Sequence, residues 1–244
     1  MTGPTNKTPA LLPLRLEKVG LRKRGKWLLQ DVTFDVRSNG ITIVMGPNGC
    51  GKTTLLRLMH GLLRPRTGQI VWNVALEDAR QRQAFVFQTP VMLRRNVIDN
   101  IAYPARLRGH SRPSARQLAT EWAAKVGLKE QSKLEAQMLS GGERQKLAIA
   151  RALIGEPDVL FMDEPTTNLD GTSTREIEAI IKDINASGTK VILATHDIGQ
   201  ARRLAEDVVF LNNGKLSEHT SAREFFRAPR TNEAKAYLAG DIVE

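Results

Sequence analysis

The 244-residue chain contains a single cysteine, Cys50, which excludes an intrachain disulfide and most cysteine-based metal sites. Cys50 itself reads as a small residue filling a loop position. No apolar run approaches the roughly 20 residues that a membrane-crossing helix requires. The first ten residues are polar and contain proline, without the apolar core of a secretion signal, so the chain is expected to stay in the cytoplasm. There is no internal repeat and no low-complexity tract. Positive charge is in excess, 36 Lys+Arg against 26 Asp+Glu. Yet the one tight basic cluster, Arg22, Lys23, Arg24 and Lys26, has no aromatic residues interleaved to stack on bases. It reads either as a solvated loop or as a surface for anions, and no nucleic-acid partner is expected.

What the chain does have is an alternation of strand and helix patterns, which implies an α/β fold around one mostly parallel sheet. Residues 14–19 and 32–36 alternate apolar and polar, as half-buried antiparallel strands do. Residues 41–45 form a continuous β-rich run typical of a strand buried on both faces. A helix is predicted over 53–63, ending near Gly61 and Pro65. Strands are predicted at 70–72 and at 84–87, the second running into Gln88. From about 89 to 152 the texture turns Arg-rich, broken by Pro90, Pro104 and Pro113, with helical spacing over 114–126. That stretch is read as an inserted helical subdomain. Strand patterns return at 159–162, 191–194 and 208–211, where Asn213-Gly214 marks a tight turn.

Two segments carry recognisable phosphate chemistry. Gly46-Pro47-Asn48-Gly49-Cys50-Gly51-Lys52-Thr53-Thr54 fits the glycine-x4-glycine-Lys-Thr pattern between a strand and a helix. Glycines let successive N–H groups turn inward around phosphate oxygens, and the helix points its positive end at the same anion. Lys52 meets the terminal phosphates, and Thr53 offers a hydroxyl to Mg²⁺. Downstream, residues 159–162 are apolar and lead into Asp163 and Glu164. Asp163 ends a buried strand where it can hold Mg²⁺ directly or through water. Glu164 can polarise the water that attacks a γ-phosphate.

Between these lies Leu139-Ser140-Gly141-Gly142-Glu143-Arg144-Gln145. Ser140 supplies a hydroxyl, Gly141 and Gly142 expose N–H groups, and a helix starting near Glu143 adds its dipole. Together they form a second anion site. With the phosphate loop and the acidic strand end, this run resembles the ATP-binding-cassette (ABC) ATPases, over about residues 14–226. The resemblance implies a RecA-like P-loop nucleoside triphosphatase fold, with an N-terminal antiparallel β subdomain and the helical insertion. Residues 227–244 then form a helical tail.

The resemblance also implies roles. Gln88 matches a glutamine loop that senses Mg²⁺ or water and moves with the helical subdomain. His196, in Ala194-Thr195-His196-Asp197, matches a switch histidine contacting the γ-phosphate and the Glu164 region. Asp170, in Thr167-Asn168-Leu169-Asp170, either bridges a dimer interface or caps a helix. His60, His110 and His219 match nothing. Because the family pairs two chains head to tail, each ATP is expected between one copy's Lys52 loop and the other's Ser140, Gly141, Gly142 and Gln145. The expected cofactors are ATP and Mg²⁺.

One departure stands out: family members carry an aromatic ring, often Tyr, before the second strand to stack on adenine. Here that stretch reads Leu21-Arg22-Lys23-Arg24-Gly25-Lys26-Trp27. Either Trp27 or Arg24 takes that place, or Trp27 merely packs against the domain. The resemblance favours the separate ATPase subunit of an importer, attached to the inner face of the cell membrane through permease subunits. A periplasmic or extracellular solute-binding protein would serve the same system. Residues 90–97 are where a permease would dock, with Val91, Met92 and Leu93 as an apolar groove; alternatively they begin a buried helix. A likeness to tungstate and related oxyanion importers lies in Met59-His60-Gly61-Leu62-Leu63 and residues 90–95. The alternative is a non-transport ABC ATPase acting on a soluble or nucleic-acid partner.

Overall fold

A computed structural model describes residues 10–37 and 40–241. Strands β1 (Leu14–Lys23) and β2 (Lys26–Val36) form an antiparallel hairpin. Its inward residues, among them Leu14, Leu16, Val32, Phe34 and Val36, are buried. The strands run beyond the apolar alternation because the hairpin continues through polar residues to a tight turn. At that turn Arg24 (φ 48°) and Gly25 (φ 81°) take the positive angles that a two-residue connection needs. The basic cluster is therefore the hairpin tip. Strand β4 (Thr67–Trp72) pairs with the other edge of β1 to complete a three-stranded sheet.

The second sheet has the order β5 (Gln83–Val86), β6 (Val159–Asp163), β7 (Lys190–Ala194), β3 (Ile41–Met45), β8 (Asp207–Asn212) and β9 (Lys215–Ser221). All neighbours are parallel except the β8–β9 hairpin, which turns at Asn213-Gly214. Every residue of β3, β6 and β7 is buried because both faces are covered. On one face Val44, Val159, Phe161 and Ile192 join the small sheet and helix α1 (Lys52–His60) in a common core. On the other, Leu160, Met162 and Leu193 meet α5 (Gly141–Leu153), α6 (Gly171–Ala186), α7 (Ile198–Leu204), α8 (Ala222–Arg227) and α9 (Asn232–Ala239).

Between β5 and β6, helices α3 (Val97–Leu107) and α4 (Arg112–Lys125) pack with α5 around Ile101, Ala119 and Leu147. Pro104, read as a breaker, lies inside α3. Its missing N–H forfeits one helical bond, a loss offset by Ile101, Ala102 and Ala105, which bury the helix around it. Pro113 sits in the first turn of α4, where a missing N–H costs nothing. The sequence pattern passed over the short α2 (Leu76–Gln81) and β9, neither of which carries a strong apolar period. The last residues of the expected tail, 242–244, lie outside the described residues.

Candidate nucleotide and catalytic site

The carboxyl ends of four adjacent parallel strands, β5, β6, β7 and β3, bring the candidate residues together. Gly46 leaves β3 with φ 145°, and a methyl there would overlap the Leu211 carbonyl and the Cys50 sulfur, so only glycine fits. Pro47, Asn48 and Gly49 carry the loop outward, and Cys50 N–H closes it on Pro47 O at 3.2 Å. Cys50 is buried as a loop filler, and that burial pushes its thiol pKa up. Gly51 (φ 110°) caps α1, whose first turn holds Lys52, Thr53 and Thr54. The Lys52 ammonium donates back to Gly46 O at 2.9 Å and Pro47 O at 3.2 Å, although the side chain is almost wholly buried.

Thr53 Oγ1 donates to Asp163 Oδ1 at 2.8 Å, so α1 reaches across β7 to the end of β6. Burial is the main influence on Asp163 and raises its pKa; the Thr53 hydroxyl opposes it. Glu164 follows with φ 46°, a strained angle for a glutamate, while its N–H still donates to Ala194 O at 2.9 Å. That turn aims the carboxylate back over the strand ends. Oε1 lies 3.7 Å from Lys52 Nζ. Oε2 accepts from Gln88 Nε2 at 3.3 Å and Thr167 Oγ1 at 3.1 Å, and lies 3.2 Å from His196 Nδ1.

The glycine-rich run of residues 139–145 lies elsewhere. Ser140 is the N-cap of α5: its Oγ accepts from Glu143 N, and the Glu143 carboxylate accepts from Ser140 N, which lowers the Glu143 pKa. Ser140 and Gly141 are exposed. Gly142 is buried where α5 meets α6, and a Cβ there would lie 2.6 Å from Ser173 Oγ. Gln145 is buried with its Nε2 unpartnered. Asp170 caps α6, accepting from Thr172 N and Ser173 N at 2.8 Å. Those bonds, Ser173 first, lower its pKa. Among the described residues, no hydrogen bond or ion pair joins 139–145 to Lys52, Asp163, Glu164 or His196.

Residues 29–167 match the model of the ABC transporter family. The chain belongs to that family. It is 38% identical over 192 residues to the tungstate uptake ATP-binding protein TupC of Peptoclostridium acidaminophilum, covering 78% of this chain and 89% of the relative. It is 34% identical over 235 residues to the phosphate import ATP-binding protein PstB of Thermotoga maritima, covering 89% and 93%. Among solved structures it is similar to a dimeric ATP-binding cassette in a post-hydrolysis state with ADP and Pi. That match has a TM-score of 0.77 at 26% identity and covers 85% of this chain and 98% of the other. The ABC chain is an ATPase with the P-loop α/β fold.

In this ABC ATPase, Trp27 packs at Gly20, where any side chain would strike its ring, and the Arg22 guanidinium lies over the indole at 5.9 Å. Arg24 is in the turn itself. Sequence reasoning missed three contacts of the cluster: the Lys52–Glu164 ion pair, the Thr167 hydroxyl, and Tyr237, whose hydroxyl donates to His196 O at 3.0 Å. Thr167 was detectable in principle, since it stands one turn after Glu164 and donates its N–H to Glu164 O at 3.3 Å.

Proposed function

We propose that this ATPase drives solute import through a separate permease, as a head-to-tail pair in which each ATP lies between one copy's Lys52 loop and the other's Ser140 loop. The observation that carries the pairing is the exposed, capped start of α5, which shares no bond with its own chain's Lys52 cluster. A monomer holding two separate anion sites is half-equipped at each.

Within one site the roles follow from the donors. Lys52 and the N–H groups of residues 46–54 neutralise the phosphates. Thr53 Oγ1 and Asp163 fit Mg²⁺: they are hard oxygens, few in number, and leave room for water and phosphate oxygens. Among the described residues no cluster of three or more His, Cys, Asp or Glu could form an all-protein cage instead. Gln88, with its Nε2 committed to Glu164, keeps its oxygen for the same ion or its water. The ion would neutralise charge on the phosphate oxygens. Glu164 takes the proton of the attacking water, held in place by Gln88, Thr167 and His196. Asp170, exposed at the start of α6, serves the interface between copies, while Gln145 is buried within its own chain.

The permease would dock on a groove of 310 Å³ lined by Phe85, Phe87, Pro90, Leu93, Tyr103 and Leu107. Val91, between Pro90 and Leu93 in sequence, is 76% exposed. No helix among the described residues is long and apolar enough to cross a membrane; attachment at the cytoplasmic face, through the permease, is proposed from the likeness to import ATP-binding subunits. The cargo we propose is an oxyanion, tungstate or a relative, delivered by a solute-binding protein outside the membrane; the likeness to a tungstate uptake and a phosphate import ATP-binding protein supports this class. The test is purification of the tagged chain from native membranes. We expect a polytopic membrane protein to accompany it, encoded beside an oxyanion-binding protein. Recovery of only soluble partners or DNA refutes the import reading.

A further inference from the structure

We infer that Tyr237, on the C-terminal helix α9, is a positioning residue for ATP hydrolysis: it holds the loop that presents His196 to Glu164. The inference rests on the role proposed above for His196.

The loop after β7 is tied down on three sides. Thr195 N–H donates to Val44 O at 3.2 Å, and Asp197 N–H donates to Thr195 Oγ1 at 3.0 Å. Asp197 then caps α7 through Gln200 N–H at 2.8 Å. His196 lies between these anchors with its ring 45% exposed, and the Tyr237 hydroxyl grips its carbonyl oxygen at 3.0 Å. This bond comes from a helix far along the chain. A histidine whose nitrogen must stay 3.2 Å from a carboxylate oxygen needs a fixed backbone, and Tyr237 fixes it from outside the strand.

Helix α9 is built to deliver that hydroxyl. Glu218, on β9 and only 6% exposed, accepts from Arg230 N at 3.1 Å, Thr231 N at 3.3 Å and Thr231 Oγ1 at 3.4 Å, pinning the start of the helix. Ala234 is wholly buried, and the Tyr237 ring packs 5.3 Å from that of Phe210 on β8. Burial, reinforced by the negative groups nearby, pushes the Tyr237 pKa up to about 12, so the hydroxyl remains a donor at any working pH. The aromatic body is held by the core while its polar tip is spent on the histidine loop.

Tyr237→Phe keeps the ring and removes only the donor. In the full-length chain, ATP turnover should fall about three- to tenfold, the weight of one hydrogen bond, with KM for ATP unchanged and the melting temperature lowered by no more than about 4 °C. The decisive control is a double-mutant cycle with His196→Ala. If Tyr237 acts through His196, Tyr237→Phe should cause no further loss in that background. Thr231→Val, which loosens the helix anchor, should reproduce the kcat loss in part. Parental turnover in Tyr237→Phe beside an impaired but measurable His196→Ala overturns the brace alone, as does an equal loss in both backgrounds. Parental turnover in His196→Ala overturns the role of the histidine and the brace with it.

Discussion

Glu164→Gln isolates the charge at the centre of the catalytic cluster while keeping its shape. In the structure Oε2 receives Gln88 and Thr167 and faces His196, while Oε1 faces the Lys52 ammonium. A glutamine must turn its NH₂ toward one side or the other, so it either confronts those donors or points a donor at an ammonium 3.7 Å away. Neither arrangement leaves a group able to take a proton from water. Loss of general-base assistance costs about 10² to 10⁴ in rate, or roughly 3 to 5 kcal/mol in the barrier. Binding should survive, because the phosphate loop and the Thr53–Asp163 pair do not depend on that proton. ATP-bound pairs therefore accumulate. Single-turnover hydrolysis gives the rate, and light scattering on a sizing column with and without ATP gives the mass. Turnover within about tenfold of the parent would refute the base assignment, and a monomer at saturating ATP would refute the paired site.

Ser140→Arg removes the cap of α5, costing about 1 kcal/mol of local stability, and sets a bulky cation at the positive end of that helix. Hydrolysis should be abolished while binding of a fluorescent ATP analogue persists; unchanged turnover would defeat the second-site reading. His60 offers a test of pH dependence. It packs against Phe85 and Phe161 with Nδ1 unpartnered, and burial lowers its pKa from 6.5 to about 4. The unfolded chain binds this proton near pH 6.5 and the folded chain only near 4. Its neutral form thus supports the fold fully above pH 6.5, and that support is lost as pH falls toward 4, by about 3 kcal/mol at most. Melting temperatures of the parent should fall more steeply across that window than those of His60→Gln, and parallel curves would exclude His60 as the cause.

The parts of the site legible in the sequence are those whose chemistry is contiguous. The phosphate loop needs its glycines, Lys52 and Thr53 in one turn, and Asp163 and Glu164 sit side by side at the end of an apolar strand. Gln88 and His196 are single polar residues after strands, and only family resemblance marked them out. Their meeting at Glu164 depends on the strand order β5, β6, β7, β3, which no local pattern encodes. Tyr237 was hidden for the same reason, since its partner lies 41 residues away. Proline misled in α3 because tertiary packing outweighed the local penalty. At the hairpin tip the polar residues 22–26 are solvated as expected of a loop, yet only Arg24 and Gly25 make the turn and the others extend the strands.

Helix α5 belongs to two cores at once. Ala148 and Ile149 face the central sheet, while Leu147 and Ala150 face α3 and α4. The inserted helices therefore cannot melt away and leave the sheet intact without stripping one side of a helix the sheet also needs. Cooperativity crosses the subdomain boundary through this helix, seconded by Met92, Trp122 and Ile180, which pack against both cores. In protein kept dilute enough to stay monomeric, ligand binding at the Lys52 loop should slow amide exchange in residues 139–145 of the same chain, even though the two segments share no hydrogen bond.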